Sequence, residues 1–301
     1  MTINTSTPET MPKFKAIKAL LTLLRKDPIK YLKEDRPKYY EKYCHDVDEF
    51  GYDLYTLAHC EPAFQYLFEE HFKIKLTGLE NIPSSGPALL VGNHSGMLPI
   101  DAVMLTMAMC KLHPEPRRIR YLVTDWFFKV PGLLNWMTQT GQVRATLDNA
   151  IKLVDKGELV GIYPEGIKGV SKPVKQKYRL IDFNPGYVKL AISKNLPIIP
   201  VATLGGDETY MVLKNVNKIA RLVKMPFFPI TPLFPWLPFP LMFFPLPIQW
   251  QINVHKPIYL NLDPSMANNR RTVLNISREI QYIIQKDLNE MYANRRSLFS
   301  I

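Results

Sequence analysis

The run Val91-Gly92-Asn93-His94-Ser95-Gly96-Met97-Leu98-Pro99-Ile100-Asp101 places an imidazole and a carboxylate in one short, glycine-containing turn. A neutral imidazole titrates near physiological pH and can take a proton from a hydroxyl, provided that a second group holds its other nitrogen in the right tautomer. Asp101 is the nearby candidate for that second group. An acid in the first turn of a helix is also what the macrodipole favours, so these two residues taken alone leave a structural reading open. A second turn, Tyr163-Pro164-Glu165-Gly166-Ile167-Lys168-Gly169, carries a carboxylate, two glycines and a lysine. It has the makings of a cradle for a polar substrate. Lys172, Lys175, Lys177 and Arg179 crowd the following loop, either to meet a phosphate or as a solvated basic face. A third turn, Gly141-Gln142-Val143-Arg144-Ala145, offers a guanidinium that can bind an oxyanion bidentately.

All three turns follow apolar runs, and those runs must position them. The residues 72–78, 88–93, 118–123, 158–163, 198–204 and 250–258 read as strands. Helical patterns fall between most of them. Thr146 caps a helix ending near Gly157, Pro185-Gly186 opens one ending near Asn195, and residues 266–292 form a long polar helix at the C-terminal end. Strands alternating with helices predict an α/β fold: a central mixed, largely parallel sheet covered by helices, with ligands at the carboxyl ends of the strands. The expected division is an N-terminal helical, membrane-facing region (1–71), a catalytic domain (72–265) and a C-terminal helix (266–301).

Lysine and arginine number 38 against 27 acids, a formal charge of +11, so partners should be anionic. No zinc finger, RNA-recognition signature or basic zipper is present, and basic and aromatic residues are not interleaved, which argues against nucleic acid. The three cysteines and the remaining histidines have neither disulfide nor metal-ligand spacing, so no metal site is expected.

Two stretches point to a lipid surface. Residues 13–26 set Phe14, Ile17, Leu20, Leu21 and Leu24 on one helical stripe flanked by basic residues, the pattern of an interfacial helix, too short to span a bilayer. From Met225 to Val254 there is no charged side chain, and Pro226, Pro229, Pro232, Pro235 and Pro238 recur every third residue among large apolar ones. That spacing suits a polyproline II path, serving either as a membrane insertion (225–249) or as a lid over the core.

In their order along the chain these stretches resemble the blocks of the glycerolipid and lysophospholipid acyltransferase family, in particular its bacterial branch similar to monoacylglycerol acyltransferases. Asn93-His94-Ser95-Gly96 through Asp101 resembles the first block, Gly141 to Ala145 the second and Tyr163-Pro164-Glu165-Gly166 the third. Leu196-Pro197-Ile198-Ile199-Pro200-Val201 resembles the fourth, and Gly78 to Pro83 the lead-in. One departure is plain: six residues separate His94 from Asp101, where the family's usual block has four. The resemblance implies transfer of an acyl group from acyl-CoA or acyl-carrier protein to a lipid hydroxyl, with no further cofactor. It implies His94 as general base and Asp101 as its orienter. Asn93, Gly96, Arg144, Glu165, Gly166 and Lys168 would serve the substrates, with N–H groups near Gly96 holding the oxyanion. It also implies peripheral or monotopic attachment on the cytoplasmic side of a membrane. The rival expectation is a lipid-binding protein that has lost catalysis, hinted at by the lengthened spacing.

Overall fold

Each of the five residues of Ala88–Gly92 is buried, as befits a strand covered on both faces, and its side chains part by alternation. Leu89 and Val91 enter one apolar cluster; Ala88 and Leu90 enter the other. Ile198–Leu204 divides the same way, with Ala202 and Leu204 on one side and Ile199 and Val201 on the other. Period-two patterning therefore builds a three-layer molecule.

The computed structural model describes residues 27–45, 47–129 and 133–299. Helices α1 (Pro28–Asp35), α2 (Pro37–Tyr43) and α3 (Leu54–Tyr66) lead into β1 (Lys75–Thr77), β2 (Ala88–Gly92), α4 (Ile100–Leu112), β3 (Ile119–Val123), α5 (Leu133–Gln139), β4 (Val143–Arg144), α6 (Leu147–Asp155) and β5 (Leu159–Ile162). Then come α7 (Ile167–Val170), α8 (Gly186–Lys194), β6 (Ile198–Leu204), α9 (Gly206–Tyr210), β7 (Lys214–Asn215), α10 (Asn217–Leu222), β8 (Pro229–Ile230), β9 (Gln251–Val254) and α11 (Arg270–Asn294). The seven-stranded sheet has the order β1-β9-β6-β2-β5-β3-β4. All neighbours are parallel except β6 and β9, so the sheet is mixed and largely parallel as expected. The carboxyl ends of β2 to β6 share one edge, where the three chemistry-bearing turns emerge.

The helix ends obey local chemistry. Thr146 Oγ1 accepts from Asn149 N at 3.2 Å, and Asn195 closes α8 in the left-handed conformation. The long C-terminal helix starts at Arg270, capped by Asn269, and buries Val273, Ile280, Ile284, Leu288 and Met291 along one stripe against the sheet. Helices α1 to α3 pack with Cys110 of α4 through Leu32, Tyr39 and Leu57, joined by Tyr52 from the segment before α3. The expected interfacial helix at 13–26 lies outside the described residues.

The proline-rich stretch departs from expectation. It follows no continuous polyproline II path but folds into turns, with β8 pairing with β7 and a single 3₁₀ turn at Leu241–Phe243. The cause is Thr231, whose hydroxyl accepts from Leu233 N and Phe234 N, while its carbonyl accepts from Trp236 Nε1. The stretch thereby acquires two faces. Phe227 and Phe234 pack inward on Met97, Val170 and Tyr210, whereas Trp236 and Phe239 are 67% and 77% exposed.

Candidate active site

His94 leaves the end of β2, and Asp101 is the second residue of α4. His94 Nδ1 lies 2.8 Å from Asp101 Oδ2, the carboxylate being fully buried and the imidazole partly open. Asp101 also accepts from Ser95 N (3.1 Å) and Ala102 N (2.9 Å), which fixes it as an acceptor and so places the proton on His94 Nδ1. Nε2 then carries the lone pair, and it has no partner among the described residues. The lengthened spacing does not separate the two groups. Gly96 takes φ +80°, a left-handed turn that doubles the chain back, and a Cβ there would lie 2.9 Å from the Gly206 carbonyl.

The imidazole is also stacked. Its ring lies 4.4 Å from that of Tyr163 at 7°, and Tyr163 in turn stacks on Tyr121 at 5.6 Å and 6°. Burial pushes the Tyr163 hydroxyl well above its ordinary range, keeping it neutral. Register sets up the pile: Val91 pairs with Ile162 in β5, so Tyr163 emerges beside Gly92, where a Cβ would lie 3.0 Å from its ring, and the chain reaches His94 two residues later. Tyr163 opens the third block without any expected role, and its place beneath His94 has no local sequence signal.

The structure uses the other candidate residues in two ways. Some are built into the frame. Asn93 donates to Thr203 O (2.9 Å) and accepts from Thr203 N (2.8 Å), sealing β2 to β6 instead of facing a substrate. Glu165 is buried; Oε1 accepts from His94 N at 3.0 Å, while Oε2 accepts from Ile181 N at 2.8 Å and from Lys172 Nζ at 3.2 Å. Its carboxylate meets protein on both sides, so the expected contact with an acceptor head is replaced by a hold on the His94 backbone. The expected oxyanion donor is also engaged. The N–H of Gly96 faces Asp207, a residue not anticipated from the sequence, and lowers its carboxyl pKa. Gly166, at φ +57°, caps α7, and Gly169 seats that helix: a Cβ there would lie 3.0 Å from His94 O and 2.8 Å from Glu165 Cβ.

Others remain at the surface. Lys168 is exposed on α7. Arg144 ends β4, half-exposed, with Nε 3.1 Å from Asp125 Oδ1, an open pair that contributes little to stability. β4 stands three strand positions from β2, on the order of 14 Å along the sheet edge at about 4.8 Å per strand. The structure thus joins His94, Asp101 and Glu165 into one constellation and leaves Arg144 and Lys168 as peripheral cations. Among the described residues no cluster of metal-ligating side chains is present.

The sequence profile of the acyltransferase family matches residues 73–204, which spans all of these turns. An uncharacterized protein of Mycobacterium leprae is 37% identical over 256 residues, 84% of this chain and 70% of that one. A chicken protein described as a DGAT1/2-independent enzyme synthesizing storage lipids is 28% identical over 165 residues, 54% of this chain and 48% of that one. The crystal structure of the 1-acyl-sn-glycerophosphate acyltransferase of Thermotoga maritima shares the fold, with a TM-score of 0.52 over 95% of this chain and 100% of that one at 17% identity.

Proposed function

Since this chain belongs to the acyltransferase family, we propose that it moves a fatty acyl group from acyl-CoA or acyl-carrier protein to a hydroxyl of a glycerolipid or lysophospholipid, with His94 as general base. The observation that carries this reading is the Nδ1–Asp101 contact, which leaves Nε2 as the one lone pair directed out of the pair. The acceptor O–H gives its proton to Nε2 as its oxygen attacks the thioester carbonyl carbon. Collapse of the tetrahedral adduct breaks the C–S bond, and the imidazolium returns the proton to the leaving thiolate. No acyl-enzyme and no cofactor are required. The glycerolipid acceptor is supported by the storage-lipid description of the chicken relative and the fold shared with the Thermotoga enzyme. The binding-only alternative rested on the spacing between His94 and Asp101, and a 2.8 Å contact removes that support.

A membrane lipid acceptor calls for attachment to a bilayer, and the outer face of the proline-rich stretch supplies an apolar surface for it. No helix among the described residues is long and apolar enough to cross a membrane; the attachment proposed is peripheral or monotopic, on the cytoplasmic side. Arg144 and Lys168, exposed cations outside the His94 constellation, are proposed to meet an acceptor's polar head. The test is thiol release from an acyl thioester by purified protein with a panel of lysophosphatidate, other lysophospholipids and monoacylglycerol, products being identified by mass spectrometry. Acceptor-dependent release that falls roughly a hundredfold to ten-thousandfold in folded His94→Ala is expected; unchanged turnover in that variant overturns the mechanism.

A further inference from the structure

Three consecutive peptide N–H groups of the His94 turn face three different buried carboxylates. His94 N donates to Glu165 and Ser95 N to Asp101, while Gly96 N faces Asp207 and lowers its carboxyl pKa. These acids come from three elements: the β5–α7 turn, the start of α4, and α9 after β6. One cation lies among them. Lys172, with a side chain 2% exposed, sets Nζ 3.2 Å from Glu165 Oε2 and 4.0 Å from Asp207 Oδ2, and donates to Arg179 O at 3.3 Å. Asp207 is further fixed by Tyr178 N, which donates to Oδ2 at 2.7 Å. The two turns meet without slack, since a Cβ on Gly206 would fall 2.1 Å from Ser95 Oγ.

We propose that Asp207 and Lys172 are positioning residues for the general base, fixing the backbone of the His94 turn and setting the charge that the imidazole feels. The proposal rests on His94 acting as the base. Glu165 and Asp101 face Asp207 as like charges and Lys172 as the opposite one, while the neighbouring Glu208 is already paired with Lys177 and Arg295. Three carboxylates and one ammonium surround the His94 turn, so removing either kind of charge alters the field at the imidazole. Burial is the main reason the Asp207 carboxyl is pushed up to about 6, so it is largely ionised at neutral pH.

The experiment compares Asp207→Asn, Lys172→Met and Lys172→Arg with wild type, by thermal melting, by kcat and KM, and by the His94 imidazole titration read from histidine-selective NMR. Asn keeps an oxygen for the Gly96 N–H but removes a negative charge. It should lower the His94 pKa and move the acid limb of kcat/KM to lower pH by roughly 0.5–1 pH unit. Lys172→Met removes the cation and should move the same limb to higher pH, with Lys172→Arg restoring it. In both charge-altering variants kcat should fall about tenfold to a hundredfold with KM little changed, as expected for a displaced catalytic group. Opposite shifts are a signature that general loss of structure does not give. If Lys172→Met does not fold, the Asp207→Asn shift decides. Folded variants whose His94 titration stays at the wild-type value, or moves in one common direction, overturn the proposal. The NMR titration reads the proposal even if no tested acceptor is acylated, which separates its failure from failure of the acyltransfer reading.

Discussion

At the scale of the residue, Asp101 has more to do than orient a ring. It accepts from the His94 imidazole and from two backbone amides, and an asparagine there can present N–H to Nδ1 and so move the imidazole proton onto Nε2. Asp101→Asn is therefore expected to lose roughly a hundredfold or more in kcat, close to the loss in His94→Ala, and to melt at a lower temperature, because the amide group that faces Nδ1 also faces the Ser95 N–H donor; steady-state kinetics on the folded variant check this. Gly169→Ala is expected to lose about tenfold or more in kcat, because the added methyl meets His94 O and Glu165 Cβ where neither backbone nor buried carboxylate has room. A Gly169→Ala enzyme with wild-type turnover would show that the turn can yield. His94, Asp101 and Glu165 were legible because each belongs to a short run whose residue types state their chemistry. Asp207 and the stacked Tyr163 were not, because their proximity to His94 comes from strand register and not from spacing along the chain. The protein partners of Glu165 were not legible for the same reason: a carboxylate in a turn says nothing about whether its partner is a substrate or the backbone of a neighbouring strand.

At the scale of the element, apolar runs with turn residues at their ends placed the main sheet strands and the caps at Thr146, Asn195 and Pro185. The two-residue strands β4, β7 and β8 carry too few residues for any periodicity to register. The proline-rich stretch misled because prolines at every third position outweighed Thr231, a single residue whose side chain bends the path. One link ties that stretch to the body of the domain. Buried His71, just before β1, sets Nε2 2.9 Å from Pro245 O, and its ring packs edge-on against Phe244. Burial holds the imidazole below its ordinary value of 6.5. The unfolded chain therefore takes up the proton first as pH falls, so this residue contributes stability that is complete above 6.5 and declines below it. Thermal melts across pH 5–8 should show a fall at the acid end that is smaller in His71→Phe, which retains the ring contact without the titration; equal pH dependence in both proteins would assign the fall to other groups.

At the scale of the whole molecule, the charge of +11 favours anionic partners. Lys214, Lys218, Arg221 and Lys224 are exposed on the segment just before the proline-rich stretch. On the attachment proposed above, binding to anionic vesicles should have two parts: a salt-sensitive one from these cations, about 1 kcal/mol for each at the surface, and a salt-resistant one from Trp236 and Phe239. Flotation of Trp236→Asp with Phe239→Asp should lose the salt-resistant fraction and keep binding at low salt. Full flotation of that double variant in high salt would place the apolar contact elsewhere. The sequence offered lid and anchor as alternatives for this stretch, but which aromatic side chains point inward depends on the turns, and those are visible only in three dimensions.

The imidazole lying flat on Tyr163 has a consequence for how the site can be observed. Protons held over an aromatic face sit in its shielding cone, so the ring C–H resonances of His94 should be displaced upfield of those of an unstacked histidine such as His45. His94 thus carries a natural magnetic label. Any substrate that slides the ring from its tyrosine should announce itself by a downfield step, visible before a single acyl group has been transferred.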